Sequence, residues 1–412
     1  MTNDPSDILY IVHRFPYPPD KGDRIRSYNL LRHLAKNHRV WVATLADEPV
    51  AAEHHATLEQ IAHRVEVCPS GVVSSWCGAM GAAVTGRSLS EGMFQSSKLH
   101  RVLKQWASEV EFQSVLISAS SLGGYLSIFP GSTQKVVDLV DVDSEKWRDY
   151  SRREQGPKRL IYGREYRFIS KLEQKLLREA DAVTLVSEKE AELFRDCSQQ
   201  RGAAFEDLQK IHALTNGVDL KYFQPQDVTQ DQSLCFLGAM DYRPNIDAVT
   251  WFVKSAWTKL RDRNPELTFN IVGRRPTAEV QALADLPGVN VTGAVDDVRP
   301  WLARAQVVVA PLRIARGVQN KVLEAMAMGR VVIGSPEALT GLEVSPDVHV
   351  LEAVTPEDWF SKTQWVLRFP ELRQPMETSA REYVEQNHSW DATLEPLSEM
   401  LASTAQEVAT IS

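Results

Sequence analysis

The chain is poor in cysteine, in long apolar runs and in net positive charge, and each shortage narrows what it does. Its four cysteines, Cys68, Cys77, Cys197 and Cys235, include no Cys-x-x-Cys pair. That spacing argues against a disulfide framework or a zinc site and fits a reducing compartment. The nearest approach to a membrane span, Val72 to Val84, is too short and is interrupted by Ser74, Ser75 and Gly78. The opening residues, MTNDPSDILYIV, have neither a basic stretch nor a long apolar core, so no signal peptide is expected. A net charge of −8 argues against a nucleic-acid partner. The expected setting is the cytoplasm.

What is present belongs to an ordinary globular protein: 43% hydrophobic and 24% charged residues. A length of 412 residues is enough for two domains with separate cores. Short apolar runs alternate with amphipathic stretches, the pattern of an α/β protein with parallel sheets. Ile8–Val12 reads as the first strand, followed by a proline-rich loop from His13 to Arg24 that carries Gly22. Lys21, Arg24 and Arg26 are expected to cluster beside Gly22 as a ligand-facing group, because open α/β sheets bind ligands beyond their strand ends. Asp138 to Trp147 follows a later strand, and Asp143 or Ser144 is expected to cap the next helix. Asp141-Val142-Asp143 is too short a pattern to define a metal site, and none is expected. Ser187 with Glu190 reads as a capping box.

Between Lys146 and Arg178 eleven cations face four carboxylates. Such a segment is either a solvated amphipathic helix face or a contact for an anionic membrane surface or lipid diphosphate. Asn216-Gly217 is a turn, and Leu220–Gln232 reads as a linker. The alternation then restarts, with glycines at the ends of three strands: Gly238, Gly273 and Gly293. Each permits close backbone approach to a ligand.

The stretch APLRIARGVQNKVLEAMAMG, Ala310 to Gly329, is read as strand, polar loop and helix, with the helix starting near Val318. That geometry points free amides and the positive helix end into the loop, where a phosphate binds. Lys321 and Glu324 share a helix face, while Val322, Leu323, Ala325, Met326 and Ala327 pack inward.

Glu324-Ala325-Met326-Ala327-Met328-Gly329 resembles the best-known motif of glycosyltransferase family 4, the retaining GT-B sugar transferases. The wording PYPPDKGDRIRSYNLLRHLA resembles the branch associated with PEP-CTERM/exosortase and exopolysaccharide gene clusters. The resemblance implies a GT-B fold of two doubly wound Rossmann-like domains facing a cleft. Residues 1–218, completed by a helix at 388–412, would form the acceptor side, and residues 219–387 the nucleotide-sugar side. Asn216-Gly217-Val218-Asp219 and Asn387-His388-Ser389-Trp390-Asp391 resemble the family's two domain crossings.

The family also implies transfer from a nucleotide diphosphate-sugar donor to a saccharide or lipid-diphosphate-linked acceptor, without metal or separate cofactor. Glu324 would hold the donor ribose, and Lys321, Arg316 and Asp141 would flank the reacting groups. Gly22, Gly238, Gly273, Gly293, Gly317, Val318 and Gln319 would line the donor. The chain departs from the family pattern three times: Arg316 replaces a Glu, Ala239 replaces a diphosphate-binding Arg, and Tyr242-Arg243-Pro244-Asn245 stands where a diphosphate-binding Lys would be. The missing cation would come from Arg243, Arg274, Arg275 or Lys321. These departures also leave open a sugar-nucleotide epimerase on the same fold, or a sugar-nucleotide-binding protein without turnover.

Overall fold

The computed structural model describes residues 5–70, 78–82, 85–315 and 317–409, with 403–409 described by backbone alone. The chain divides into two compact units, residues 1–215 with 394–412 and residues 216–393. Each is built on a parallel sheet, because each apolar run is buried on both faces by helices.

In the first unit the strands are β1 (Asp7–Val12), β2 (Arg39–Ala46), β3 (Arg64–Pro69), β4 (Ser114–Ser118), β5 (Gln134–Val140), β6 (Ala182–Leu185) and β7 (Ile211–Ala213). Their order across the sheet is β3-β2-β1-β4-β5-β6-β7. Strand order reverses between β1 and β4, which pair in register from Ile8 with Ser114 to Val12 with Ser118. The second unit holds β8 (Asp231–Leu237), β9 (Thr268–Val272), β10 (Val289–Gly293), β11 (Ala305–Ala310), β12 (Val331–Gly334) and β13 (Leu351–Glu352). Their order is β10-β9-β8-β11-β12-β13, so the reversal falls between β8 and β11. A crevice opens at such a reversal, beyond the carboxyl ends of the strands. Both units therefore have the doubly wound, Rossmann-like architecture expected from the alternation.

The helices used below are α1 (Gly22–Leu34), α2 (Asp143–Arg153), α3 (Pro157–Glu179), α4 (Glu188–Gln200), α5 (Arg243–Phe252) and α6 (Asn320–Ala327). The two crossing segments lie side by side: the Val218 amide donates to the His388 carbonyl at 2.7 Å, and Val218 bridges to Ser389 in parallel. Gly217 is required there, since a Cβ would stand 2.6 Å from the Trp390 nitrogen.

Several local expectations are corrected. Gly22 is the first residue of α1 rather than a loop hinge, and Lys21 takes the N-cap position. Arg24 donates to Asp20, one turn back, at 3.4 Å. Arg26 faces the core, only 1% exposed. No side chain caps α2 from its own first turn. Instead Glu190 accepts from the Val142 amide at 3.0 Å and Glu173 from the Ser144 amide at 2.9 Å. Ser187 does accept from the Glu190 amide at 3.3 Å, but Glu190 thus spends its carboxylate on Val142 instead of closing a capping box.

Arg26 reaches Asp138 with a two-pronged contact, Nε to Oδ2 at 2.8 Å and Nη2 to Oδ1 at 2.7 Å. Its third nitrogen donates to the Leu214 carbonyl at 2.8 Å. Thr184 on β6 donates to the same carboxylate at 2.9 Å, and Ser118 on β4 at 3.4 Å. The carboxylate is fully buried, so removing one partner leaves an uncompensated charge. Arg26→Met is expected to cost about 3–5 kcal/mol in urea unfolding. The double variant Arg26→Met, Asp138→Leu is expected to recover most of that loss, because neither charge is then stranded.

Candidate functional site

In the second unit the loops after β8, β9 and β10 all leave through glycine, and two of these positions are closely approached by neighbouring atoms. Gly273 has φ +154°, and a Cβ there would stand 1.7 Å from the Gly238 carbonyl oxygen. A Cβ on Gly238 would stand 2.5 Å from the Asn245 amide nitrogen. The loops are joined by main-chain bonds, Gly238 N to Val272 O at 3.1 Å and Met240 N to Arg274 O at 2.9 Å. Gly293 ends β10 with φ 69°. The glycines thus make a backbone-surfaced edge.

Across the β8/β11 reversal stands α6. It begins at Asn320, two residues later than the pattern placed it, with no side-chain cap on its first turn. Val322, Leu323, Ala325, Met326 and Ala327 are buried, as their spacing required. Lys321 and Glu324 are only half-buried and face away from that core. The Lys321 ammonium donates to Asn245 Oδ1 at 2.6 Å and lies 4.2 Å from the centre of the Phe236 ring. Asn245 in turn donates to the Ala239 carbonyl at 2.9 Å. A cation from the first turn of α6 therefore reaches, through Asn245, the region beside Ala239, where the sequence lacks its own. Asn245 and Phe236 are the residues that sequence reading missed. A polar residue buried in the first turn of α5, next to Pro244, was the available signal.

Desolvation sets the electrostatics of this crevice. It pushes the Glu324 carboxyl up to about 7, against the opposing pull of Lys321. It pushes the Lys321 ammonium down to about 7, against the pull of Glu324. No hydrogen bond or ion pair engages the Glu324 carboxylate among the described residues. The site thus holds a carboxyl with unused acceptors beside a seated cation.

The other expected residues distribute around this pair. Gln319 donates to the Gly317 carbonyl at 3.2 Å, Gly317 has φ 61°, and Val318 is buried. These shape the loop from within. Arg243 is exposed at the start of α5, on the same strand-end edge. Arg274 is half-buried, while Arg275 lies 3.6 Å from Asp241 at the rim. Arg316 lies outside the described residues.

The first unit gathers a separate polar group at its own β1/β4 reversal. His13 follows β1; its Nε2 is 3.7 Å from Asp23 Oδ2, and its buried Nδ1 has no hydrogen-bond partner. Burial holds this imidazole below its ordinary range, against the pull of Asp23. Arg14 donates to Asp23 at 3.1 Å, and Ser120 donates to Asp143 at 2.8 Å. The strand-end residues Ala119 and Val140 take φ of 90° and 69°, a strained backbone at the same edge. Asp141 follows Val140 directly and is half-buried. Gly22 carries no such constraint, for a Cβ there would meet nothing within 4 Å. Among the described residues no three His, Cys, Asp or Glu side chains converge as a metal site.

The pair in the second unit gives a pH signature. The folded Glu324 carboxyl titrates above its unfolded value of 4.5, so the folded chain binds that proton more tightly. The associated stability is present below pH 4.5 and is lost as pH rises toward 7. Glu324→Gln is expected to flatten that fall in denaturant midpoints measured across the window, and to leave the protein at least as stable at pH 7.

Known proteins share the chain's fold. Residues 231–367 match the family model described as Glycosyl transferases group 1. No curated protein matches the chain in sequence. Among solved structures, a sucrose-phosphate synthase from Thermosynechococcus elongatus superposes with a TM-score of 0.70 at 17% identity, covering 99% of this chain and 100% of its own. WaaG, a glycosyltransferase involved in lipopolysaccharide biosynthesis, gives 0.66 at 15% identity, covering 96% and 99%. Anabaena Alr3699/HepE in complex with UDP-glucose gives 0.62 at 12% identity, covering 96% and 99%. The fold is GT-B, and the family match over the second unit together with that fold supports a glycosyltransferase.

Proposed function

We propose that the chain is a retaining, family 4 type glycosyltransferase. It moves a sugar from a nucleotide diphosphate-sugar to a saccharide or lipid-diphosphate-linked acceptor, in the making of exopolysaccharide or another cell-surface polysaccharide. One observation carries the reading: an unengaged, desolvated Glu324 one turn from a seated Lys321, at the strand reversal of a glycine-edged sheet. HepE, similar in fold, binds UDP-glucose, which supports a nucleotide sugar as donor here. The role of WaaG in lipopolysaccharide biosynthesis supports a cell-surface glycan as product, and the resemblance of the Pro16–Ala35 stretch to the PEP-CTERM/exosortase branch points the same way.

In this mechanism the Glu324 carboxylate accepts from the two ribose hydroxyls of the donor. The diphosphate lies over the glycine edge, where backbone amides approach without side-chain obstruction. Lys321 and the positive end of α6 then stabilise the charge that builds on the departing diphosphate. A dry surrounding strengthens that attraction relative to water. Arg243, exposed on the same edge, adds a second positive contact. Read from its sequence position, Arg316 only donates hydrogen bonds and supports the diphosphate or an acidic donor sugar. On the first unit, neutral His13 offers an acceptor hydroxyl a hydrogen-bond partner, with Asp23 orienting the ring.

Two outcomes test this. Glu324→Gln is expected to weaken nucleotide-sugar binding roughly 10- to 100-fold in calorimetric titration, since charged hydrogen bonds are worth about 1.5–3 kcal/mol. Unchanged donor affinity would make Glu324 a structural residue. Transfer to acceptor is also expected to continue in EDTA, because the cationic contacts come from side chains; loss restored by manganese would revive Asp141 and Asp143 as metal ligands. Incubation with donor alone separates epimerisation from transfer.

A further inference from the structure

We infer that the hairpin tip joining α2 to α3 docks on an anionic lipid surface. The basic segment is a packed helix along most of its length: Ile169, Leu172, Leu176 and Leu177 are buried. Its first turn is not. Leu160 is 76% exposed and Ile161 48%, side by side at the start of α3. Arg152, Arg153, Lys158 and Arg159 surround them, all exposed. None of these four engages a carboxylate through its side chain among the described residues. Farther along the hairpin Arg148 is held by Glu145 at 2.7 Å and Arg164 by Glu165 at 3.1 Å, and the exposed aliphatic pair is what sets the tip apart from the remaining cations of α3.

The tip is a built element. Ser151 donates to the Arg159 carbonyl at 3.1 Å, tying the last turn of α2 to the first turn of α3. Behind it Trp147, Tyr150 and Tyr162 form a triangle of rings with centroids 5.5 to 5.9 Å apart. Exposed aliphatics, unpaired cations and half-buried Trp and Tyr side chains form the combination that partitions into a headgroup region. Charge decides the occupant. A second copy meeting this patch symmetrically would set the four cations of each chain against each other. The chain as a whole carries −8, so an anionic surface repels most of it and selects this tip. The inference concerns where the protein sits and does not depend on the transfer reaction.

Co-sedimentation tests it with the full chain and vesicles of phosphatidylcholine alone or mixed with phosphatidylglycerol. Binding is expected to the mixed vesicles only, falling as salt rises. Arg153→Glu with Arg159→Glu is expected to lower the partition coefficient roughly tenfold or more. Leu160→Ser with Ile161→Ser is expected to lower it by a similar factor at unchanged charge. Reversing Arg101 and Lys104, exposed elsewhere on the same unit, should change it far less. Matching circular dichroism and melting curves verify that the exposed substitutions leave the fold intact. The inference is overturned if the chain ignores anionic vesicles, if the tip variants bind like the parent, or if Leu160→Ser instead dissolves a dimer.

Discussion

The first unit hangs on one buried carboxylate. Asp138 sits in the middle of a sheet with no water to solvate it, and donors from β4, β6 and α1 all converge on it. Such a group is tolerable only while every donor is in place. Because Arg26 also holds the Leu214 carbonyl, the first helix is indexed at once against β5 and the segment after β7. The orientation of α1 fixes its own first turn, which carries Asp23, and the point where its preceding loop emerges, which carries His13 and Arg14. The polar group at the strand reversal is therefore positioned by an ion pair that is itself out of reach of any substrate.

The second unit uses buried charge differently. Lys321 is seated by an amide and a ring face rather than by a carboxylate, and Glu324 has no engaged partner among the described residues. Desolvation acts on both without a full set of compensating bonds, which leaves interaction energy available to a ligand. Charges that are fully satisfied, as at Asp138, define a fold. Charges left partly unsatisfied at a crevice define a site.

How much of this could be read from residues alone follows the distance over which each feature is decided. Strand runs such as Ile8–Val12 and Val307–Ala310 are dictated by neighbours in sequence, and they stand where the pattern put them. The inward face of α6 is a matter of spacing, and it too was legible. Arg26 was not: read beside Lys21 and Arg24 it belongs to a cationic loop, and its partner is 112 residues away. The start of α2 gave the same lesson, since short polar residues stood ready to cap it, yet Glu173 and Glu190 arrive from α3 and α4. Asn245 escaped notice because its role depends on a lysine 76 residues later. The apolar stripe of α3 predicted burial, and only packing reveals that Leu160 and Ile161 fall beyond the covered length.

The glycine edge of the second unit has a consequence for how this scaffold diversifies. At Gly238 and Gly273 the surface is defined by missing atoms: a side chain at Gly273 would displace the main chain at Gly238, and one at Gly238 would displace the Asn245 amide that seats Lys321. The floor of the crevice is thus closed to gradual change. New selectivity has to be written on the rim, where Tyr242, Arg243 and Arg275 are exposed and can be exchanged without disturbing the strands. A descendant of this chain that takes a different ligand would keep the floor and differ in these projecting side chains.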